Sequence, residues 1–338
     1  MKVLVVGGGS IGRRHLANLK TLGVTDLEVC EVDPSKLEEL VRTFGLRGFA
    51  QLPAALDHRP DVVLVCTPTH NHLTAARCAL EAGAHVFIEK PLAVSLEGTD
   101  ELAARARALD RVVLIGCNMR FHPGVVTLKQ ALECSLVKRP WLFRAWFGHA
   151  LANWRPGADY RNTYSARRDQ GGGIIFEGVH EMDYLRWMAG EVIGVHAYAR
   201  HVSDLDIDGE DTALVLLHFA SGALGQIQLD YLSAVKIRGC EIVGADGMLR
   251  WVSEGKAPER IQVMHFEVAS GCWKELYATQ AYDGNEMYVA EMRHFLDCIR
   301  EHQPPFVDIE EGSRVLRLTL SAREVASSSE SLRPTGAT

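Results

Sequence analysis

The sequence predicts an α/β chain with two parts. An N-terminal domain is built on a parallel sheet flanked by helices, and an α+β domain with an open, mostly antiparallel sheet follows. Three observations carry this prediction. Strand-length apolar runs alternate with amphipathic helical stretches over the first 120 residues. A glycine pattern sits at the first strand-to-helix junction. Past residue 141 the rhythm changes to longer strands joined by hairpin signals.

The elements follow in chain order. Lys2 to Val6 is a β-branched run with the length of a buried strand, and Arg13 to Leu22 reads as a helix. Leu27 to Cys30 is a second strand ending on Glu31. Pro34 to Phe44 is a helix with Leu37, Leu40, Val41 and Phe44 on one face. Asp61 to Cys66 (DVVLVC) is a buried strand. Leu73 to Ala82 is a helix stopped by Gly83, a C-cap residue. Val86 to Ile88 and Val112 to Ile115 are strands on either side of a helix from Leu96 to Leu109. Strands separated by helices imply right-handed crossovers in a parallel sheet.

The second part reads as strands at Trp141 to His149, Val192 to His201, Thr212 to Phe219, Leu224 to Tyr231, Glu241 to Val243 and Ile261 to Phe266. Ala220-Ser221-Gly222 and Ala245-Asp246-Gly247 mark hairpins. Helices are expected from about Pro123 to Glu133, Glu181 to Met188, Glu286 to Arg300 and Ser313 to Ala326. The expected division is 1–120 for the first domain, 121–327 for the second and 328–338 for a polar, frayed tail.

A chain of 338 residues can bury two cores, and 47% hydrophobic with 23% charged residues is a globular balance. The net charge of −7 and the lack of a basic block argue against nucleic acid and anionic membrane as partners. The N-terminus enters a strand at once, without the pattern of a signal peptide, and no apolar run approaches the roughly 20 residues that span a bilayer. Eight scattered cysteines without a C-x-x-C pair fit reduced thiols, so a cytoplasmic location is expected.

Gly7, Gly9 and Gly12 stand in G-x-G-x-x-G spacing between a strand and a helix. The first glycine allows the tight turn, the second lets a pyrophosphate approach the backbone, and the third lets helix and strand pack closely. Gly7, Gly9, Ser10, Ile11 and Gly12 would hold the diphosphate at the helix N-terminus, where free N–H groups favour an anion. Glu31, 19 residues past Gly12, is placed to accept hydrogen bonds from ribose hydroxyls. A 2′-phosphate would meet like charge there, with Asp33 adding to it, so NAD is expected over NADP.

Ligands bind at the carboxyl ends of parallel strands. Two further stretches are therefore expected to border the cofactor, Cys66-Thr67-Pro68 with His72 and Glu89-Lys90-Pro91; His72 also reads as a residue that caps or packs at the start of the following helix, and the triplet alone as a solvated charge pair. His70 and His72 lack an evident third partner, so no metal site is expected. The segment Gly171 to Asp183 (GGGIIFEGVHEMD) is a third site. On one helix Glu177, His180 and Asp183 would share a face, where a carboxylate one turn from an imidazole can fix its tautomer. A helix-start histidine making a structural hydrogen bond is the other reading of that stretch.

Together, the N-terminal G-G-G-S-I-G-R-R-H, Thr67-Pro68 with His72, Glu89-Lys90-Pro91 and Gly171–Asp183 resemble the glucose–fructose oxidoreductase / inositol dehydrogenase (Gfo/Idh/MocA) family, in family order and over essentially the whole chain. The resemblance implies a Rossmann domain, a second domain whose open sheet forms a subunit interface, and hydride transfer between NAD(P) and a hydroxyl, ketone or imine, most often on a sugar or cyclitol. It implies that Lys90 lies near nicotinamide and the reacting oxygen and that His180 is the acid/base. Many members carry an aspartate four residues before the histidine; here Glu177 stands three before it. The run from Tyr160-Arg161 to Tyr184 looks more like members from bacterial surface-sugar pathways.

Candidate substrate contacts are Asn118, Arg120, Trp154, Tyr160, Arg161 and Arg167, types suited to an anionic group or an apolar sugar face. Each also reads as an ordinary interface or surface residue. Two other functions stay open: an NAD-dependent glycosidase with transient oxidation and no net cofactor turnover, and a non-catalytic NAD-bound sensor. A homo-oligomer, dimer or tetramer, is expected because Leu214, Leu216, Ile227 and Leu229 would sit on an exposed sheet face.

Overall fold

The computed structural model describes residues 1–155, 157, 159–255 and 258–328; the expected tail beyond Ser328 lies outside them. The first half runs β1 (Lys2–Val6), α1 (Ser10–Thr21), β2 (Asp26–Cys30), α2 (Pro34–Phe44), β3 (Arg47–Phe49), α3 (Leu52–Leu56), β4 (Val62–Val65), α4 (His72–Glu81), β5 (His85–Glu89), α5 (Thr99–Ala108) and β6 (Val113–Gly116). Its six strands stand in the order β3-β2-β1-β4-β5-β6, all pairs parallel. That order reverses between β1 and β4, so the crevice above those two strands is the switch point of a doubly wound sheet. Local chemistry sets the element ends. Asp33 caps α2 by accepting from Ser35 N and Lys36 N, Pro34 opens the helix, and Gly45 closes it in the left-handed region at φ 61°.

The second half runs α6 (Pro123–Glu133), β7 (Leu142–Gly148), α7 (Ile174–Glu177), α8 (Val179–Ala189), β8 (Val192–Arg200), β9 (Thr212–Phe219), β10 (Leu224–Asp230), β11 (Ile237–Val243), β12 (Gly247–Glu254), β13 (Glu259–Glu267), β14 (Cys272–Tyr282), α9 (Glu286–Glu301) and α10 (Ile309–Ser328). Eight strands form one sheet in the order β14-β13-β12-β11-β7-β10-β9-β8, antiparallel except for the β7–β10 pair. One face is core and packs against α8 and α10. Alternation decides which side chains reach the other face. Leu214, Leu216 and Leu224 are 45%, 54% and 54% exposed, whereas Ile227 and Leu229 are fully buried. The expectation that Ile227 and Leu229 face outward is corrected by their register opposite Val215 and Ala213, both core residues.

The last two helices also serve the first sheet. Met292, Phe295 and Leu296 of α9 pack with Val3, Val5 and Phe87 on one of its faces, and Val307, Ile309 and Leu316 complete the other. Ile115 N donates to Val307 O, and the Asn18 and Asn285 amides bond to each other. The division at residue 120 therefore separates the sheets but not their cores. No helix among the described residues is long and apolar enough to cross a membrane.

Candidate active site

The glycine turn follows β1. Gly7 has φ 97°, and a Cβ there would lie 2.6 Å from Cys66 O. A Cβ on Gly12 would lie 2.0 Å from Gly7 O, so the helix packs on the turn only without one. A Cβ on Gly9 would meet nothing within 4 Å. Gly9 is also the N-cap of α1, with no side-chain cap and no acidic residue in the first turn. The N–H groups of Ser10, Ile11 and Gly12 therefore face an open approach. Glu31 follows β2, with Oε2 accepting from Gly8 N at 2.7 Å and Oε1 accepting from Asp33 N at 3.0 Å. Its carboxylate is thus locked against the glycine turn, while the Asp33 carboxylate is occupied as a helix cap.

The loops after β4 and β5 are tied together by His72. Its Nδ1 lies 2.9 Å from Pro91 O and its Nε2 2.9 Å from Thr67 O. This is a structural bridge, and burial lowers its pKa. Cys66 is buried with its N–H on Val6 O. Pro68 leads into a short 3₁₀ turn, Thr69–Asn71. Beside it the Thr67 hydroxyl is buried without a partner. Glu89 faces inward: Oε1 meets His15 Nε2 at 2.7 Å and Oε2 accepts from Lys90 N.

Lys90 reaches across to the second domain. Its Nζ donates to Glu177 Oε2 at 2.7 Å, and Glu177 Oε1 accepts from Ser165 Oγ at 2.8 Å. The Tyr164 hydroxyl bonds to the same carboxylate. Burial opposes the charge on Lys90, but the Glu177 carboxylate outweighs it and the pKa is raised. Glu177 stays ionised for the converse reason: burial raises it, Lys90 more than reverses that, and the net pKa is lowered. Burial and then the Glu177 charge push Tyr164 up to about 12.

His180 sits in the first turn of α8, 7% exposed, with Nδ1 buried and unpartnered. Burial, then the cations Lys90 and Arg238, hold its pKa well below the usual imidazole value. Its imidazole is neutral at neutral pH, beside an ammonium that stays charged. The expectation that Glu177, His180 and Asp183 act from one helical face is corrected here. Gly178 separates α7 from α8, Glu177 turns to Lys90, and Asp183 accepts from Arg120 at 2.7 to 3.1 Å.

The remaining candidates divide by what already holds them. Arg120 is 3% exposed; besides Asp183 it donates to Phe306 O and lies over the Trp187 ring, so its fork is spent on the interior. Arg161 is exposed and paired with Asp159. Tyr160 accepts from Asp206 N, and Trp154 Nε1 donates to His149 O while its ring stands edge-on to Tyr231. Asn118 is buried with Oδ1 unpartnered just past the carboxyl end of β6. Arg167 is exposed, its carbonyl accepting from Gly172 N. Sequence reasoning missed Tyr164, Ser165, Tyr231 and Arg238. The first two lie in a run of 3₁₀ turns with no periodicity; the buried, unpartnered Tyr231 hydroxyl and Arg238 lie near strand ends, where alternation alone assigns no role.

A dinucleotide fits these residues. The open side of Gly9, the uncapped α1 N-terminus, the unpartnered Thr67 hydroxyl and the fixed Glu31 carboxylate offer groups for diphosphate, nicotinamide half and ribose. Comparison with known proteins agrees. Residues 1–117 match a family described as an oxidoreductase family with an NAD-binding Rossmann fold, and residues 125–250 match the GFO/IDH/MocA C-terminal domain. Myo-inositol 2-dehydrogenase of Thermotoga maritima is 28% identical over 333 residues, covering 96% of each chain. Inositol 2-dehydrogenase/D-chiro-inositol 3-dehydrogenase of Shouchella clausii is 30% identical over 262 residues, 74% of this chain and 71% of that one. A solved structure described as a probable dehydrogenase from Thermotoga maritima superposes with a TM-score of 0.79 at 26% identity, covering 97% of both chains.

Proposed function

We propose, for this chain that belongs to the GFO/IDH/MocA family of NAD-binding oxidoreductases, that it oxidises a secondary hydroxyl of a cyclitol or sugar between Lys90 and His180. The observation that carries the reading is geometric: the Lys90 ammonium is bound to Glu177, and the helix that follows Glu177 carries the buried His180 imidazole with Nδ1 unpartnered; the Glu177 charge raises the Lys90 pKa, and burial and then the Lys90 charge lower that of His180. Bound NAD supplies the hydride acceptor. The turn from Gly7 to Gly12, Glu31 and Thr67 would hold it.

The protein's own work is positional and protic. Lys90 donates a hydrogen bond to the substrate oxygen and favours its developing negative charge. His180, neutral, accepts the hydroxyl proton; protonated, it returns that proton in the reverse direction. Glu177 is a positioning residue. Its carboxylate, braced by Ser165 and Tyr164, aims the Lys90 ammonium and keeps it charged. Asn118, Trp154 and Tyr231 are the residues we assign to substrate shape, on the strength of unpartnered polar atoms at Asn118 and Tyr231 and of the Trp154 ring against Tyr231. Arg120 is left out because Asp183 already satisfies it.

The inositol dehydrogenases among the relatives support a cyclitol as the first substrate to try. The test is NADH formation by the purified protein against separate cyclitols, aldoses and nucleotide sugars. Saturable NADH formation with a polyol is expected. Bond cleavage of a glycoside without net NADH would replace the dehydrogenase reading.

The outer face of the second sheet, with Leu214, Leu216, Leu224 and Tyr198 exposed, supports a homo-oligomer in which a second copy covers it. The eight free cysteines support a cytoplasmic site of action.

A further inference from the structure

Behind the segment that carries Glu177 and His180 lies a cavity of 480 Å³. It opens between α7, the end of β8, the turn before β9 and the last turns of α10. Its walls carry Arg168, Arg200, His201 and Arg323, against two acids, Asp208 and Glu210. Both acids are partly engaged with backbone: Asp208 accepts from Arg168 N and Glu210 Oε1 accepts from Ile175 N. Ile175, Ile207 and Ala199 add an apolar wall.

Arg323 is the centre of the site. Its guanidinium stands 4.3 Å over the Phe176 ring, and no carboxylate among the described residues lies within ion-pair distance of it. Burial, then the neighbouring Arg168 charge, lowers its pKa, the mark of cations crowded without enough counter-charge. The Arg168 side chain likewise has no ion pair among the described residues. Two forks lining one cavity, Arg323 half-buried and Arg168 exposed, fit one tetrahedral dianion better than solvent. The volume exceeds a bare ion, and the isoleucine wall suits a small organic body.

We propose that this cavity binds a phosphate monoester through Arg168 and Arg323, and that occupancy acts on the catalytic segment from behind. The coupling has a short path. Phe176, under Arg323, immediately precedes Glu177. Glu210 holds the start of the same helix through Ile174 N and Ile175 N, and a Cβ on Gly173 would strike its carboxylate. A ligand that draws Arg323 or Glu210 moves the mount of the carboxylate that aims Lys90. This coupling rests on the role given to Glu177 above; the binding site does not.

The test titrates the full chain with phenyl phosphate and, separately, inorganic phosphate. Calorimetry is run with saturating NAD, to fill the other phosphate-binding edge, at ionic strength held constant with chloride. Phenyl phosphate has no secondary hydroxyl to occupy the substrate position. One saturable site is expected, tighter for the ester than for the free ion, and weakened about tenfold or more by Arg323→Met and by Arg168→Met. Arg300→Met removes an exposed charge elsewhere and is expected to change nothing. Arg168 is exposed, so its variant tests the site even if the Arg323 variant folds poorly.

No binding above the chloride control, or equal binding by both arginine variants, overturns the site. Binding only by a chain ended at Ser328 also overturns it, because the cavity would then belong to the chain's own C-terminus. Binding that leaves kcat and KM for the polyol unchanged overturns the coupling alone.

Discussion

At Lys90 and His180 the same ammonium does two things: it is kept charged by Glu177, and it helps keep the imidazole uncharged. The sign of the pH dependence follows. A base whose pKa is held low is already free at neutral pH, so kcat/KM for oxidation should stay level as pH falls through the usual imidazole range and decline only below it. Arg238→Met removes one of the cations acting on His180 and should move that acid limb upward, read from the pH profile of kcat/KM; an unmoved limb would remove Arg238 from the account. Lys90→Met should lower kcat by roughly 10²–10⁴-fold, the range for a positioned proton-handling group. Glu31 makes a separate prediction. Glu31→Gln removes the charge and keeps one of the two bonds to Gly8 N and Asp33 N, since its amide nitrogen cannot accept; it should narrow the NAD-over-NADP ratio of kcat/KM by about tenfold. Lys90, Glu31 and the glycines were legible because each follows a strand at a spacing with one physical use. The Glu177–Lys90 pair was not, since residues 87 apart in sequence meet only when two domains fold against each other.

Among the elements, most of those with strong periodicity were readable and the short or polar ones were not; β12 (Gly247–Glu254) alternates but was not read as a strand. α2 and α6 fall on the residues their spacing predicts, Pro34–Phe44 and Pro123–Glu133. β3 and α3 have three and five residues, too few for a period to emerge. β14 (CWKELYATQAY) lies at the sheet edge with most of its side chains exposed, so no hydrophobic alternation marks it. Ion pairs also join elements beside the apolar cores. Arg120, just past β6, is clamped to Asp183 of α8, and Arg186 of α8 to Glu311 of α10. Arg120→Met would leave a buried carboxylate unpaired and should cost about 3–5 kcal/mol of unfolding free energy. A direct loss of substrate affinity in a protein of unchanged stability would return Arg120 to the substrate site. Glu311 is held down to about 2, first by its hydrogen bond from Arg186. A depressed carboxylate stabilises the fold above its unfolded pKa and loses that contribution as pH falls through the folded value. Glu311→Gln should therefore be less stable than the parent by ~1–3 kcal/mol near neutrality, with the difference closing between about pH 4.5 and about pH 2 in denaturant titrations.

Across the whole molecule, the two sheets are joined by the chain's return, not only by the single crossing near residue 120. α9 and α10 fill both faces of the nucleotide sheet, so the cofactor edge and the second domain share one packed frame. Composition could announce two cores but not that the far end of the chain completes the first. The exposed leucines of β9 and β10 predict a second copy over the outer sheet face; sedimentation of a monomer at micromolar concentration would contradict that. The same frame makes the central claim testable, because the two reactive groups sit in different domains. Lys90 follows β5 of the nucleotide sheet, and His180 lies in the first turn of α8 under the second sheet. The deciding measurement is single-turnover NADH formation by His180→Ala with the polyol found in the screen, beside a separate NAD titration. Hydride transfer slowed by roughly 10²–10⁴-fold with NAD affinity nearly unchanged is the predicted result. Near-normal transfer over roughly pH 6 to 9 in that variant would contradict it and pass the proton to another group in the cleft.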